Sequence, residues 1–382
     1  MELTSKLPEV GTTIFAVMSG LAVKHNAINL SQGFPDFDGD GYLKERVNHY
    51  INSGMNQYAP MPGVPRLNEA IAEKIKRHYG TEVDPQTEIT VTSGATEALF
   101  AAIHALVRPG DEVIIFDPAY DSYAPAVKLA GGKPVHIPLV APSFEIDWQR
   151  LSDELSDKTR AVMINSPHNP AGSILTRSDL DRLHELLEST DTYLISDEVY
   201  EHIIFDAEQH ASVTAHEGLK KRSYVISSFG KTYHMTGWKI GYAVAPESMS
   251  REFRKVHQFL TFSTSTPMQH GIADMLIKKP EHADELPAFY QKKRDEFRAV
   301  MADTPFKLLP CKGTYFQLAD YSAVSDKNDF DFCVELTERV GVAAIPLSPF
   351  YQSPPEGQRL IRFCFAKGTE TFEAVREKLQ QL

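Results

Sequence analysis

Ala161-Val162-Met163-Ile164-Asn165 runs without a break into Ser166-Pro167-His168-Asn169-Pro170-Ala171-Gly172. Four successive apolar side chains with no polar alternation suit a strand covered on both faces, and such strands belong to mostly parallel sheets with helices above and below. The Pro, Asn and Gly that follow end the strand in a turn. The same alternation of a short apolar run and a longer periodic segment continues on both sides from about residue 85. It predicts strands over 89–92, 112–116, 134–139, 161–165, 192–196, 224–228 and 239–245, with helices over 95–107, 122–129, 178–189 and 251–259. That order of elements predicts an α/β fold with a mostly parallel, doubly wound sheet. After about residue 285 the character changes to a helix over 287–301, a strand ending in Gly313-Thr314-Tyr315-Phe316, a helix over 330–340, a strand over 360–365 and a terminal helix. This predicts a smaller α+β domain, with the proline-rich stretch 346–355 as a loop.

At about 150 residues per domain, 382 residues allow two or three domains and a core that needs no disulfide or metal staple. The net charge of −12, with no run of five like charges, argues against a nucleic-acid or anionic-membrane partner. Cys311, Cys333 and Cys364 stand too far apart to form a CxxC pair, so the expectation is buried thiols, no metal site and a reduced, cytoplasmic protein. The apolar stretch 12–23 is too short for a bilayer, and Glu2 and Glu9 do not suit a signal peptide. Ile14, Phe15, Met18, Leu21 and Ala22 share one helical face, which predicts an amphipathic helix.

Open parallel sheets bind ligands at the carboxyl ends of their strands. After the first strand, Thr92-Ser93-Gly94-Ala95-Thr96 turns directly into a helix, whose first amides can receive an anion or simply end in a cap. Asn169 follows another strand in an Asn-Pro turn. Asp197 closes a third in Asp197-Glu198-Val199-Tyr200, where a buried carboxylate wants a cationic partner. Ser227-Ser228-Phe229-Gly230-Lys231-Thr232-Tyr233 mimics two other motifs. Gly230-Lys231-Thr232 looks like a P-loop tail, but the required earlier glycine falls at Val225; Ser228-x-x-Lys231 looks like a serine acylase, but S-D-N and K-T-G are missing. No G-x-G-x-x-G is present either.

The set narrows the choice where no single residue does. Pyridoxal phosphate needs a lysine amine for its aldehyde, a carboxylate for its pyridine nitrogen and an anion site for its phosphate, and these loops supply all three. The sequence resembles the class I aminotransferases of pyridoxal-phosphate fold type I over essentially its whole length. Asn29-Leu30-Ser31-Gln32-Gly33-Phe34-Pro35-Asp36-Phe37, Asn56-Gln57-Tyr58, the stretch 228–241 and Ile361-Arg362-Phe363-Cys364-Phe365 are similar to the kynurenine/glutamine branch, most of all to bacterial methionine aminotransferases.

The resemblance implies that Lys231 bonds the cofactor and moves the substrate proton, and that Asp197 keeps the pyridine nitrogen protonated. It gives Asn169 and Tyr200 to the phenolic oxygen, Tyr120 to the ring face, and Ala95, Thr96, Ser228 and Lys239 to the phosphate. Tyr58 would reach the phosphate from a neighbouring subunit, which implies a homodimer. Arg362, with Gly33 and Asn169, would clamp the substrate α-carboxylate, a task suited to a planar guanidinium fork. Phe15 and Phe350 would wall an apolar side-chain pocket. The expected reaction is therefore a ping-pong transfer of the amino group of methionine to a 2-oxo acid, with aromatic amino acids, histidine, glutamine and kynurenine as further donors. A kynurenine aminotransferase or cysteine-S-conjugate β-lyase is the alternative, and a non-enzymatic protein on the same fold the remote one. The expected domains are 41–284 for the cofactor, and 1–40 with 285–382 for an N-terminal arm and small domain.

Overall fold

The computed structural model describes residues 3–380 and 382, so Glu2 lies outside the described residues. Seven strands form the central sheet: β1 (Ile89–Thr92), β2 (Glu112–Asp117), β3 (Lys133–Pro138), β4 (Thr159–Asn165), β5 (Tyr193–Asp197), β6 (Ser223–Ser228) and β7 (Gly241–Val244). Their spatial order is β1-β7-β6-β5-β4-β2-β3. β3, β2, β4, β5 and β6 run parallel, whereas β7 is antiparallel to both β6 and β1. Each of the seven strands predicted for this sheet is present within two residues at each end, because each is an apolar run bounded by turn residues; the later strand expected to end in Gly313-Thr314-Tyr315-Phe316 instead begins at Phe316 and runs to Asp320.

Register aligns the functional ends. Asn165 pairs with Asp197 across β4 and β5, and Gly241 pairs with both Ser228 and Thr92. The helix that follows Thr92 is thereby brought beside Ser228. Gly241 is needed there, since a Cβ would lie 2.7 Å from the Ser227 carbonyl and 2.9 Å from the Ala95 amide nitrogen.

A second, antiparallel sheet is built from β8 (Lys307–Leu308), β9 (Phe316–Asp320), β10 (Ile345–Pro346) and β11 (Leu360–Cys364), in the order β10-β11-β9-β8. The N-terminal segment docks on this end of the molecule. Helix α1 (Ile14–Lys24) is capped by Thr13, Ile28–Asn29 pairs in parallel with Val342–Ala343, and the Cys364 amide bonds the Leu30 carbonyl at 2.8 Å. One apolar core joins a face of the large sheet (Ile114, Phe116, Val162, Leu194) to the small one (Leu318, Ile361, Phe363). A separate core covers the opposite face with Leu99, Ile103, Tyr224 and Phe253. All three cysteines are free and buried. Among the described residues no helix is long and apolar enough to cross a membrane.

Three helices differ from expectation by more than two residues, and the one expected over 251–259 spans Glu247–Leu260. The helix expected from Pro287 starts at His282 and carries Pro287 inside it. Proline is favoured in a first helical turn because it has no amide hydrogen to leave unpaired, so its position alone suggests a start too late in the chain. The helix expected over 330–340 is α-helical only over Asp329–Glu335 and widens to a π turn over Leu336–Val340.

Candidate active site

A cavity of about 340 Å³ lies at the carboxyl ends of the parallel strands, between the two sheets. Its wall includes Phe15, Gly33, Ala95, Thr96, Tyr120, Asn169, Asp197, Tyr200, Ser228, Lys231, Lys239 and Arg362. Residues that the sequence spreads over 348 positions thus face one space. Two expected residues are not on this wall. Phe350 is buried behind Phe15, edge-on to it at 5.8 Å, and Tyr58 is 84% exposed on the outer surface against Phe262.

Lys231 sits on a one-turn helix, Phe229–Thr232, that Ser228 caps by accepting from the Gly230 amide. The turn aims its amine into the cavity, where it donates to the Gly33 carbonyl at 3.2 Å and to the Tyr315 hydroxyl at 2.9 Å. Burial pulls the amine down to about 8. Asp197 is the opposite case. Burial raises its carboxyl to about 6, against the lowering effect of the Tyr123 hydroxyl, which donates to it at 2.5 Å, and of the Val199 amide at 3.2 Å. No cation pairs with it among the described residues. Asn165 fixes the strand end by donating to the Asp197 carbonyl at 2.9 Å while accepting from the Asn169 amide at 2.7 Å.

The anion cup stands one strand further along. Helix α2 (Gly94–Leu106) begins at the cavity, and its Ser93 cap offers no side-chain bond to the first-turn amides. Gly94 takes a φ of +75°, and a Cβ there would lie 3.3 Å from the Lys239 amine. Glycine therefore serves twice, in the left-handed turn and in letting the lysine close on the helix start. Free amides at a helix N-terminus, an adjacent ammonium and the Ser228 hydroxyl are groups that could together hold a phosphate.

Arg362 enters from β11 and is wholly buried. It donates to Asn169 Oδ1 at 2.8 Å and to the Ser31 carbonyl at 3.1 Å, and its guanidinium carbon lies 3.9 Å from the centre of the Phe316 ring. Its Nε has no partner, and no carboxylate pairs with it among the described residues. A structural strand-edge ion pair is thereby ruled out. A buried guanidinium with an open donor, facing a cavity, is fitted to an incoming carboxylate.

The cavity thus presents an amine of lowered basicity, an unpaired carboxylate, an uncapped helix start beside an ammonium, and an unpaired guanidinium. That donor set, on a doubly wound sheet, defines an enzyme that uses pyridoxal phosphate on an amino acid. The comparisons with known proteins agree. The family model for aminotransferases of class I and II matches residues 25–379. The chain is 56% identical to methionine aminotransferase of Escherichia coli over 99% of this chain and 98% of that protein. It is 35% identical to kynurenine–oxoglutarate transaminase 3 of Rattus norvegicus, over 95% of this chain and 87% of that one. The solved structure of YbdL from Escherichia coli, described as identifying a methionine aminotransferase function, superposes with a TM-score of 0.98 at 55% identity over the whole of both chains. Aspartate aminotransferase of Thermus thermophilus follows with a TM-score of 0.91 at 27% identity, over 100% of this chain and 99% of that one. The chain belongs to the class I and II aminotransferase family, and it is an enzyme whose cofactor is pyridoxal 5′-phosphate.

Several residues escape sequence reasoning: Tyr123, Asn165 and Phe316 on the wall, and Tyr315 behind it. Tyr123 lies three positions after Tyr120, at the start of the helix Tyr123–Leu129, where a tyrosine reads as core. Asn165 is the last residue of its strand, and only the register with Asp197 shows its role. Tyr315 and Phe316 read only as the end of a strand, whereas the strand begins at Phe316.

Proposed function

We propose that the enzyme moves the amino group of methionine to a 2-oxo acid by a ping-pong mechanism, with aromatic amino acids, histidine, glutamine and kynurenine as further donors. The observation that carries this is the pairing of Arg362 with the apolar ring of Phe15, 5.3 Å away on the same side of the cavity. The carboxylate of an amino acid has a partner there, and the side chain beyond it meets aromatic wall. The described cations on that wall are Lys231, Lys239 and Arg362. With two of them committed to cofactor and phosphate, no second cation remains for a dicarboxylate. The name of the 56% identical relative points to the same donor.

Pyridoxal phosphate, when bound, supplies the aldehyde that takes up the amino group and a ring that accommodates the charge left at the substrate Cα. Lys231 is assigned to carry the cofactor and then to move the proton at Cα, for which an amine near 8 is suited at neutral pH. Asp197 would hold a proton on the pyridine nitrogen, and Tyr123 and Val199 keep its oxygens oriented. Asn169 and Tyr200 would meet the phenolic oxygen, and Tyr120 the ring face. Ala95, Thr96, Ser228 and Lys239 would hold the phosphate. Arg362 would orient the substrate by its carboxylate, with Gly33 and Asn169 beside it, and Phe15, backed by Phe350, would exclude water from the side-chain pocket.

We also propose that residues 41–284 act as the cofactor domain and that 1–40 with 285–382 act as a second body carrying Arg362. The exposed Tyr58 and Phe262, with Phe259 at 87% exposure, support a homodimer in which Tyr58 reaches the partner's phosphate cup. Sedimentation at the mass of one chain would refute that assembly. A cytoplasmic location is consistent with three unpaired thiols, and recovery of the enzyme from another compartment would oppose it.

The deciding experiment supplies the purified protein with pyridoxal phosphate, reduces it with borohydride and maps the modified peptide, then screens amino donors against several 2-oxo acids. The expected outcome is a yellow protein, modification at Lys231 and fastest turnover with methionine. Modification elsewhere, or preference for a dicarboxylate donor, overturns the reading. Pyruvate release from a cysteine conjugate outrunning methionine transamination would favour the β-lyase instead.

A further inference from the structure

Three polar atoms close a triangle at the foot of the cavity. The Tyr315 hydroxyl lies 2.7 Å from the Gly33 carbonyl and 2.9 Å from the Lys231 amine, which is itself 3.2 Å from that carbonyl. Tyr315 cannot easily swing away. It is wholly buried, its ring is edge-on to Tyr200 at 5.2 Å and to Phe316 at 4.9 Å, and its carbonyl accepts from the Phe365 amide at 2.9 Å. We propose that Tyr315 is a positioning residue that holds the Lys231 amine, whenever it is not bonded to cofactor, against the Gly33 carbonyl and within the cavity. The proposal rests on the assignment of Lys231 as the cofactor-bearing lysine.

The donor and acceptor inventory shows why a tyrosine is suited to this. A carbonyl can only accept, so both the hydroxyl and the amine point a hydrogen at Gly33. The tyrosine oxygen then has a lone pair free for a second hydrogen of the protonated amine. When the amine is neutral, the same hydroxyl can turn and donate to the nitrogen instead. Tyr315 is thus a partner in both protonation states, which the carbonyl alone is not. Gly33 also belongs to the N-terminal arm and Tyr315 to the strand entry before β9, so the amine is tied to two segments other than its own short helix.

Removing the hydroxyl should cost the charged amine more than the neutral one, because a hydrogen bond to an ionised group is the stronger. The titration should therefore fall. The other charged or titratable groups facing the amine are Arg362 and Cys364 on β11, Lys239 before β7, Asp197 at the end of β5 and Tyr200 after it, and Tyr315→Phe leaves all of them in place.

The test loads the wild-type and Tyr315→Phe enzymes with pyridoxamine phosphate, which leaves Lys231 unbonded, and follows the pH dependence of its acylation by acetic anhydride by peptide mass spectrometry. The midpoint should move down by roughly one pH unit. kcat should fall about 10-fold, in the range of a misplaced proton carrier, with KM for methionine nearly unchanged. An unmoved midpoint overturns the proposal even if kcat falls, since lost packing alone would do that. Borohydride modification of wild-type enzyme at a lysine other than Lys231 overturns the underlying assignment instead.

Discussion

Asp197 gives the most quantitative consequence of this architecture. Its carboxyl is buried, has no cationic partner among the described residues and is raised from 3.8 to about 6 by that burial. In cofactor-free protein both folded and unfolded chains hold the proton below 3.8, and the native state gains nothing from it. Between 3.8 and about 6 the unfolded chain releases the proton while the folded one retains it. Stability therefore falls as pH rises through that window and stays lower above it. A gap of about two units corresponds to roughly 3 kcal/mol. Asp197→Asn keeps an acceptor for the Tyr123 hydroxyl and carries no charge, so at pH 7.5 the cofactor-free variant should be more stable than wild type by up to that amount. With an unfolding entropy of about 2.1 cal/mol/K per residue, this is a rise of about 4 °C in melting temperature. At pH 4 the two proteins should converge. The same variant should lose nearly all transamination, because an amide cannot hold a pyridinium proton. Calorimetry of both cofactor-free proteins at pH 4 and 7.5 decides the matter. A variant less stable than wild type at pH 7.5, or a stability difference independent of pH, would refute the claim that Asp197 is an unpaired buried charge awaiting a cation.

Two further perturbations probe other parts of the site. Arg362→Lys retains a charge but not the fork; the loss of a charge-assisted bond worth about 1.5–3 kcal/mol should lower kcat/KM for methionine roughly 10- to 100-fold while leaving cofactor absorbance intact, as steady-state kinetics and spectra would show. Glu201→Ala acts from behind the sheet. Burial raises the Glu201 carboxyl, but Lys74 at 2.5 Å, His202 and Tyr79 outweigh it and hold it well below the usual range; removing it strands the buried Lys74 and should destabilise the protein by about 3–5 kcal/mol in denaturant titration.

The sheet was legible because a strand buried on both faces has nowhere to hide a polar residue. Asp197 and Ser228 stand out at strand ends for that reason, and the register, with Asp197 beside Ile226 two residues before Ser228, puts them at one end of the sheet. Tyr315 and Tyr123 were not legible, since an aromatic ring among apolar neighbours looks the same whether its hydroxyl is idle or bonded. Only three-dimensional partners tell them apart. Pro287 misled for a different reason: it occupies a helix interior in a place where local preference suggests a helix start. The neighbours of Asp197 and Tyr200 divide by side. Glu198 turns away to accept from Ser196, Val213 and His210, and Glu201 to bond Lys74, Tyr79 and Ser227. Such anchoring could not be read from two acidic letters in a loop.

The two unpaired charges of the cavity explain more together than apart. A negative net charge of −12 tells nothing about a site whose ligands are anionic at two points, the phosphate and the substrate carboxylate. What matters is local. Asp197 lacks a cation and Arg362 lacks an anion, yet they do not neutralise one another, because the cavity separates them and each is held by neutral partners: Tyr123 and Val199 for one, Asn169, Ser31 and Phe316 for the other. Burying both unpaired costs folding free energy that better-packed apolar residues would not. The arrangement makes sense if a pyridinium relieves the first and an α-carboxylate the second, so that the free protein is complementary to its cofactor and substrate before either binds. The same logic places the selectivity for amino acids at Arg362 and leaves the choice among them to the aromatic wall at Phe15.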